Sequence, residues 1–164
     1  MATLLSDVTK GTHIIQWGPD VSLCAGCGSC EIVCSLIHDG VSGSRSRRIF
    51  FEHDSVQLIH KVHSCQQCLD HPCYEVCPAK GSAMRIDSDT GVVFVALDAC
   101  SGCGLCIAAC PYEPKRLQQR RDGKVVKCDL CRGRDGGPAC IEYCQCLAIG
   151  LSTDDPPVAG VVVS

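Results

Sequence analysis

Sixteen of the seventeen cysteines in this 164-residue chain fall into four quartets, and nothing else in the sequence restricts its folding as tightly. The quartets are Cys24, Cys27, Cys30 and Cys34; Cys65, Cys68, Cys73 and Cys77; Cys100, Cys103, Cys106 and Cys110; and Cys128, Cys131, Cys140 and Cys144. The first and third follow C-x2-C-x2-C-x3-C. The second widens its middle gap by two residues, and the fourth stretches that gap to eight. Only Cys146 stands outside. An odd count fits complete disulfide pairing poorly. Met1 to Trp17 also lack the basic stretch, apolar run and small-residue cleavage site of an export signal. A cytoplasmic chain with reduced thiols is therefore expected, and metal is the leading use for them.

The spacing suits an iron–sulfur cubane, which needs four thiolates at the corners of a tetrahedron. Three come from one tight C-x2-C-x2-C loop. The fourth cysteine, three residues on, lies on the short helix leaving the loop and turns away toward a second cluster. Quartets should then work in pairs. Zinc is the plainer alternative, but four-cysteine zinc sites draw two ligands from each of two knuckles, leaving the third cysteine of quartets one and three without a role.

Composition narrows the function further. Aromatic residues are only 4% of the chain, so few large side chains are available for an ordinary core. The length suits one domain or two very small ones. A formal charge of −3 lacks the basic excess of a nucleic-acid binder. No run of about 18 apolar residues marks a membrane span. No nucleophile stands with its base in a pattern that suggests a catalytic site, so no catalytic residue is assigned.

Between the quartets the pattern predicts short β-hairpins and one- or two-turn helices, an α+β fold. Met84, Ile86 and Val92 to Val95 flank a polar run ending in Gly91, and Leu117 to Arg121 and Lys124 to Val126 flank Asp122-Gly123, a pair suited to a type I′ turn. His13 to Gln16 and Val56 to Val62 are further strand candidates. Short apolar stretches after the cluster loops, such as Glu31 to Leu36 and Ile107 to Ala109, are helix candidates. Gly26, Gly28, Gly102 and Gly104 let the backbone approach a cluster closely.

Pro78 and Pro111 close quartets two and three with the Cys-Pro ending of bacterial ferredoxins. With Lys127-Cys128-Asp129-Leu130-Cys131, Gly137-Pro138-Ala139-Cys140, Cys34 to Gly40 and His71 to Pro78, the span from Cys24 to Ile149 resembles the four-cluster, ferredoxin-like iron–sulfur subunits of molybdenum and tungsten oxidoreductases. The resemblance implies tandem two-cluster units in a single domain over residues 1–164. The outer unit comes from about 14–40 and 125–150, the inner unit from about 56–124, and a tail covers 151–164. It also implies nested ligand sets for four 4Fe–4S clusters. Cluster 1 takes Cys24, Cys27, Cys30 and Cys144, and cluster 2 takes Cys34, Cys128, Cys131 and Cys140. Cluster 3 takes Cys65, Cys68, Cys73 and Cys110, and cluster 4 takes Cys77, Cys100, Cys103 and Cys106.

On the same resemblance the chain is a non-catalytic relay of single electrons. Its expected partner is a large tungsten- or molybdenum-pterin subunit, with aldehyde oxidoreductase the nearest likeness. A flavin-containing NAD-linked subunit or a ferredoxin is the expected further partner. Formate dehydrogenase, hydrogenase and aromatic-ring reductase complexes are the alternatives, as is a free soluble polyferredoxin. Family members usually carry proline after the last cysteine, where this chain has Gln145 and then Cys146, expected to be a spectator thiol.

The histidines, including His38, His60 and His63, are expected in packing or surface roles because all four quartets are already complete. Each oxidised cubane with its thiolates carries about −2, taking the loaded chain from −3 to roughly −11. Arg45, Arg47 and Arg48, and Lys115, Arg116, Arg120 and Arg121, are expected to be divided between solvated surface and offsetting that charge. The apolar end, Val158 to Val163, is expected to dock on this domain or a partner, and head-to-tail self-stacking is a further expectation.

Overall fold

Hairpins and short helices are what such a chain forms when its loops are anchored by cysteines. In the computed structural model, which describes residues 8–17, 23–43, 45–54 and 56–154, every sheet is a single antiparallel strand pair. Strand β1 (His13–Gln16) pairs with the last strand, β8 (Ile149–Ser152), with Gln16 opposite Ile149. The chain therefore closes on itself. Between these, β2 (Phe50–Asp54) pairs with β3 (Ile59–His63), β4 (Met84–Ile86) with β5 (Val93–Val95), and β6 (Leu117–Gln119) with β7 (Val125–Lys127).

Each cysteine loop leads into a helix. These are α1 (Ser29–Asp39), α2 (Pro72–Glu75), α3 (Leu105–Ala108) and α4 (Ala139–Glu142). Helix α1 packs against α4, and α2 against α3. Four-residue helices do not persist alone, so the last three depend on the loops that launch them. Pro72 opens α2 at a position where its missing N–H costs nothing. Two apolar clusters result. One gathers Ile14, Ile49, Leu130 and Ile149, the other Met84, Val93, Leu117 and Val125, and buried cysteines belong to both.

The α+β expectation of short hairpins and helices holds, with differences in detail. Strand β2 was not expected at all. Val56 to Leu58 form its turn rather than the start of β3, because Asp54 Oδ1 accepts the Val56 and Gln57 amides at 3.0 and 2.9 Å. Helix α1 runs to Asp39, three residues beyond Leu36, where left-handed Gly40 donates its N–H to the Leu36 carbonyl at 2.9 Å. The hairpin at Asp122-Gly123 is not type I′. Only Gly123 is left-handed, and its N–H donates to the Arg120 carbonyl, which gives a three-residue loop. Val158 to Val163 lie outside the described residues. Among those described, no helix is long and apolar enough to cross a membrane.

Candidate metal centres

The chain brings its quartets together by threes and ones. Cys24 and Cys27, from the loop before α1, and Cys30, in its first turn, line one cavity with Cys144, which follows α4. Cys65, Cys68 and Cys73 line a second with Cys110, which follows α3. Cys100, Cys103 and Cys106 line a third with Cys77, which follows α2. Cys34, Cys128, Cys131 and Cys140 are all buried, and Cys34 lies within electrostatic reach of Cys128, Cys131 and Cys140. Cys146 lines the first cavity as a fifth cysteine, on its exposed side.

Left-handed glycines shape the loops. Gly26, Gly28, Gly102 and Gly104 have φ of 64°, 74°, 76° and 76°. A β-carbon on Gly26 would lie 2.8 Å from His60 Nε2, so that loop and the buried His60 ring are in direct packing contact. Backbone amides reach the sulfurs of one cysteine inside α1 and of two that follow helices. Arg48 N–H donates to Cys34 Sγ at 3.2 Å, Ala148 N–H to Cys144 Sγ at 3.3 Å, and Arg116 N–H to Cys110 Sγ at 3.5 Å.

Burial shapes the chemistry of these thiols. It pushes Cys30 and Cys73 up to about 12, and Cys34, Cys68 and Cys106 to about 11. Cys128 and Cys140 are raised well above the ordinary thiol, again by burial first. Such thiols are poor nucleophiles, and a metal that binds them has to displace their protons. All seventeen cysteines are free of disulfides. Among the described residues, no three His, Cys, Asp or Glu side chains converge as one metal ion requires. Four soft sulfurs spread round an apolar cavity suit a cubane instead.

Charged side chains surround the sulfurs. Arg48 pairs with Asp129 at 2.8 Å, Arg47 with Glu31 at 3.1 Å and Arg120 with Asp39 at 2.7 Å, so both basic stretches are partly consumed inside the molecule. His38 Nε2 lies 3.7 Å from Cys131 Sγ, and burial lowers the ring's pKa despite neighbouring Asp129. His13, His60 and His63 are buried, in line with packing roles. Two residues with no signal beyond their place near a cysteine are drawn in as well. Gln67 and Lys127 are both buried and both line the second cavity. Burial alone would lower the Lys127 pKa, but the sulfurs of Cys65 and Cys73 outweigh it and raise it.

Comparison with known proteins points to a 4Fe–4S family. The sequence model of the 4Fe–4S dicluster domain matches residues 56–154. The polyferredoxin-like subunit of an aliphatic sulfonate oxidoreductase from Pyrococcus furiosus is 41% identical over 74% of this chain, which spans 66% of that protein. Two Escherichia coli proteins are each 34% identical over 79% of the chain. They are the putative electron transport protein YsaA, matched along 84% of its length, and the electron transport protein HydN, matched along 83%. A domain match over more than half of the chain, with relatives aligned along most of their own length, shows that it belongs to the 4Fe–4S dicluster domain family and is an iron–sulfur electron-transfer protein.

Proposed function

We propose that the chain holds four 4Fe–4S clusters in tandem two-cluster units and relays electrons between a tungsten- or molybdenum-pterin catalytic subunit and a further redox partner. The observation that carries this reading is the make-up of the cavities, each ringed by three cysteines of one quartet and one from another. Three of the proposed ligand sets line the cavities, namely Cys24, Cys27, Cys30 and Cys144; Cys65, Cys68, Cys73 and Cys110; and Cys77, Cys100, Cys103 and Cys106; the fourth, Cys34, Cys128, Cys131 and Cys140, is supported by shared burial and mutual electrostatic reach. The outer unit is supported by the β1–β8 pairing and the α1–α4 contact, and the inner unit by the α2–α3 contact.

When bound, such clusters accept and give up one electron at a time. The chain's own part is to space them, keep them dry and set their potentials. Electrostatic reach between Cys30 and Cys140, and between Cys73 and Cys106, supports adjacency within each unit. Gln67 Nε2 donates to the Cys128 carbonyl at 2.9 Å, which joins the inner unit to the outer. The order supported is cluster 1, 2, 3, 4 in a row.

The aldehyde-oxidoreductase kind of partner rests on the sequence resemblance, and the sulfonate oxidoreductase relative supports a multisubunit oxidoreductase more generally. A flavin-containing NAD-linked subunit or a ferredoxin would stand at the other end of the row. Native mass spectrometry of protein purified without oxygen from its own host tests this. Four cubanes on the chain, with a pterin-bearing subunit attached, is the expected result. Four cubanes on a lone chain would favour a mobile polyferredoxin, a ladder of copies would reveal self-stacking, and zinc without sulfide would overturn the reading.

A further inference from the structure

Lys127 is the largest fully buried side chain among the described residues, with 2% of its surface exposed. Taking an ammonium out of water is costly unless something compensates it, and buried lysines are normally paired. Here Nζ donates to the carbonyl oxygen of Val93, to Gln67 Oε1 at 3.3 Å and to the Cys128 carbonyl at 3.4 Å. None of the ion pairs among the described residues involves it. Three neutral oxygens solvate the charge without cancelling it.

The acceptors are held in place. Gln67, itself buried and left-handed at φ 47°, accepts the Val93 amide at 2.9 Å while its side-chain nitrogen donates to the Cys128 carbonyl. Lys127 thus borders the cavity of Cys65, Cys68, Cys73 and Cys110 and touches the backbone of Cys128, a cysteine of the neighbouring set.

We propose that the Lys127 ammonium is the resident counter-charge of the cluster held by Cys65, Cys68, Cys73 and Cys110, raising its potential at the junction of the two units; this rests on the ligand sets proposed above. Reduction adds one negative charge to that cavity, and a fixed positive charge in a low-dielectric interior favours the reduced form. The other cations nearby are less deeply buried. Lys115 is one-third exposed and pairs with Glu113 at 2.7 Å, and Arg116 faces the Tyr112 ring and donates to the Pro114 carbonyl at 3.0 Å.

The test is a redox titration of the full, cluster-loaded chain followed by electron paramagnetic resonance, comparing Lys127→Met and Lys127→Arg with the unsubstituted protein. Lys127→Met is expected to lower one midpoint, with at least a tenfold fall in that cluster's reduction constant, about 59 mV for a one-electron couple. Lys127→Arg is expected to restore it. A role in packing alone would leave all four midpoints in place, and iron-replete Lys127→Met with four unmoved midpoints overturns the proposal. If that variant does not fold, [ε-15N]lysine labelling in a Lys115→Gln background decides instead. A 15N coupling on one reduced cluster is expected, and its absence overturns the proposal. Iron and sulfide content of the unsubstituted chain tests the ligand sets separately: fewer than four clusters overturns those sets and the proposal with them.

Discussion

A β-carbon on Gly102 would overlap the carbonyl oxygen of Gly123, whereas one on Gly104 would meet nothing within 4 Å. Both residues are left-handed at φ 76°, so the pair separates backbone strain from crowding. Gly104→Ala is expected to cost about 1–2 kcal/mol, the ordinary penalty for a side chain in that region. Gly102→Ala adds a clash with main chain that no rotamer can relieve, for a total of about 2–5 kcal/mol. Apparent midpoints from anaerobic thermal melts, with iron retention followed in parallel, compare the two. Equal losses would mean that the Gly123 turn moves aside freely. Among the cysteines, Cys30→Ser is expected to remove one cluster and leave at least two others. Cys146→Ser is expected to leave iron content unchanged, although Cys146 shares a cavity with Cys144. Iron analysis checks both, and an iron loss in Cys146→Ser would make it a ligand.

Helix α1 and the hairpin of β2 and β3 show how much of each element the residues disclosed. The start of α1 was legible from its cysteine loop, and Gly40 would have marked its end, since a glycine after His38-Asp39 is a common helix stop. Strand β2 was hidden because Arg45, Arg47 and Arg48 precede it and its own residues end in Glu52-His53-Asp54, a polar run without alternation. What holds it is tertiary. Phe51 N–H donates to Glu31 Oε1 at 3.0 Å, and His53 stacks on His60 across the pair, with ring centroids 4.4 Å apart. Strand β1 is likewise attached to β3 by one side chain. Gln16 Nε2 donates to the His60 carbonyl and Gln16 Oε1 accepts the Val62 amide, both at 2.7 Å. Gln16→Leu removes both bonds and leaves two backbone groups unpaired, a loss of about 2 kcal/mol or more. Hydrogen exchange reads this locally. The Val62 amide is expected to lose protection while Val126, in the other apolar cluster's hairpin, keeps it; unchanged protection at Val62 would mean that the strand stands without Gln16.

On the scale of the whole molecule, the four quartets announced the chemistry, but their spacing alone did not show which cysteines share a cavity. That grouping appears only when α1 meets α4 and α2 meets α3, contacts between segments far apart in sequence. Lys127 was hidden for a different reason. A lysine between Val126 and Cys128 looks like a solvated residue at a strand end, and its burial depends on Val93 arriving from β5 and Gln67 from the second cysteine loop. Seven of the twenty-two buried apolar residues among those described are cysteines, and the two apolar clusters have cysteines woven through them. With aromatics at 4% of the chain, little else can replace the contacts that loaded cysteines make. The clusters should therefore act as the core, and metal binding should be folding free energy. Removing iron with a chelator after mild oxidation is expected to abolish cooperative unfolding and most hairpin protection from hydrogen exchange throughout the chain. Circular dichroism and exchange on the stripped protein check this. A stripped chain that still melted cooperatively would place the stability in the four strand pairs instead. Reloading with iron and sulfide should restore the loss in all four strand pairs together, because β1 pairs with β8 across the length of the chain and Gln67 ties the second cysteine loop to Cys128.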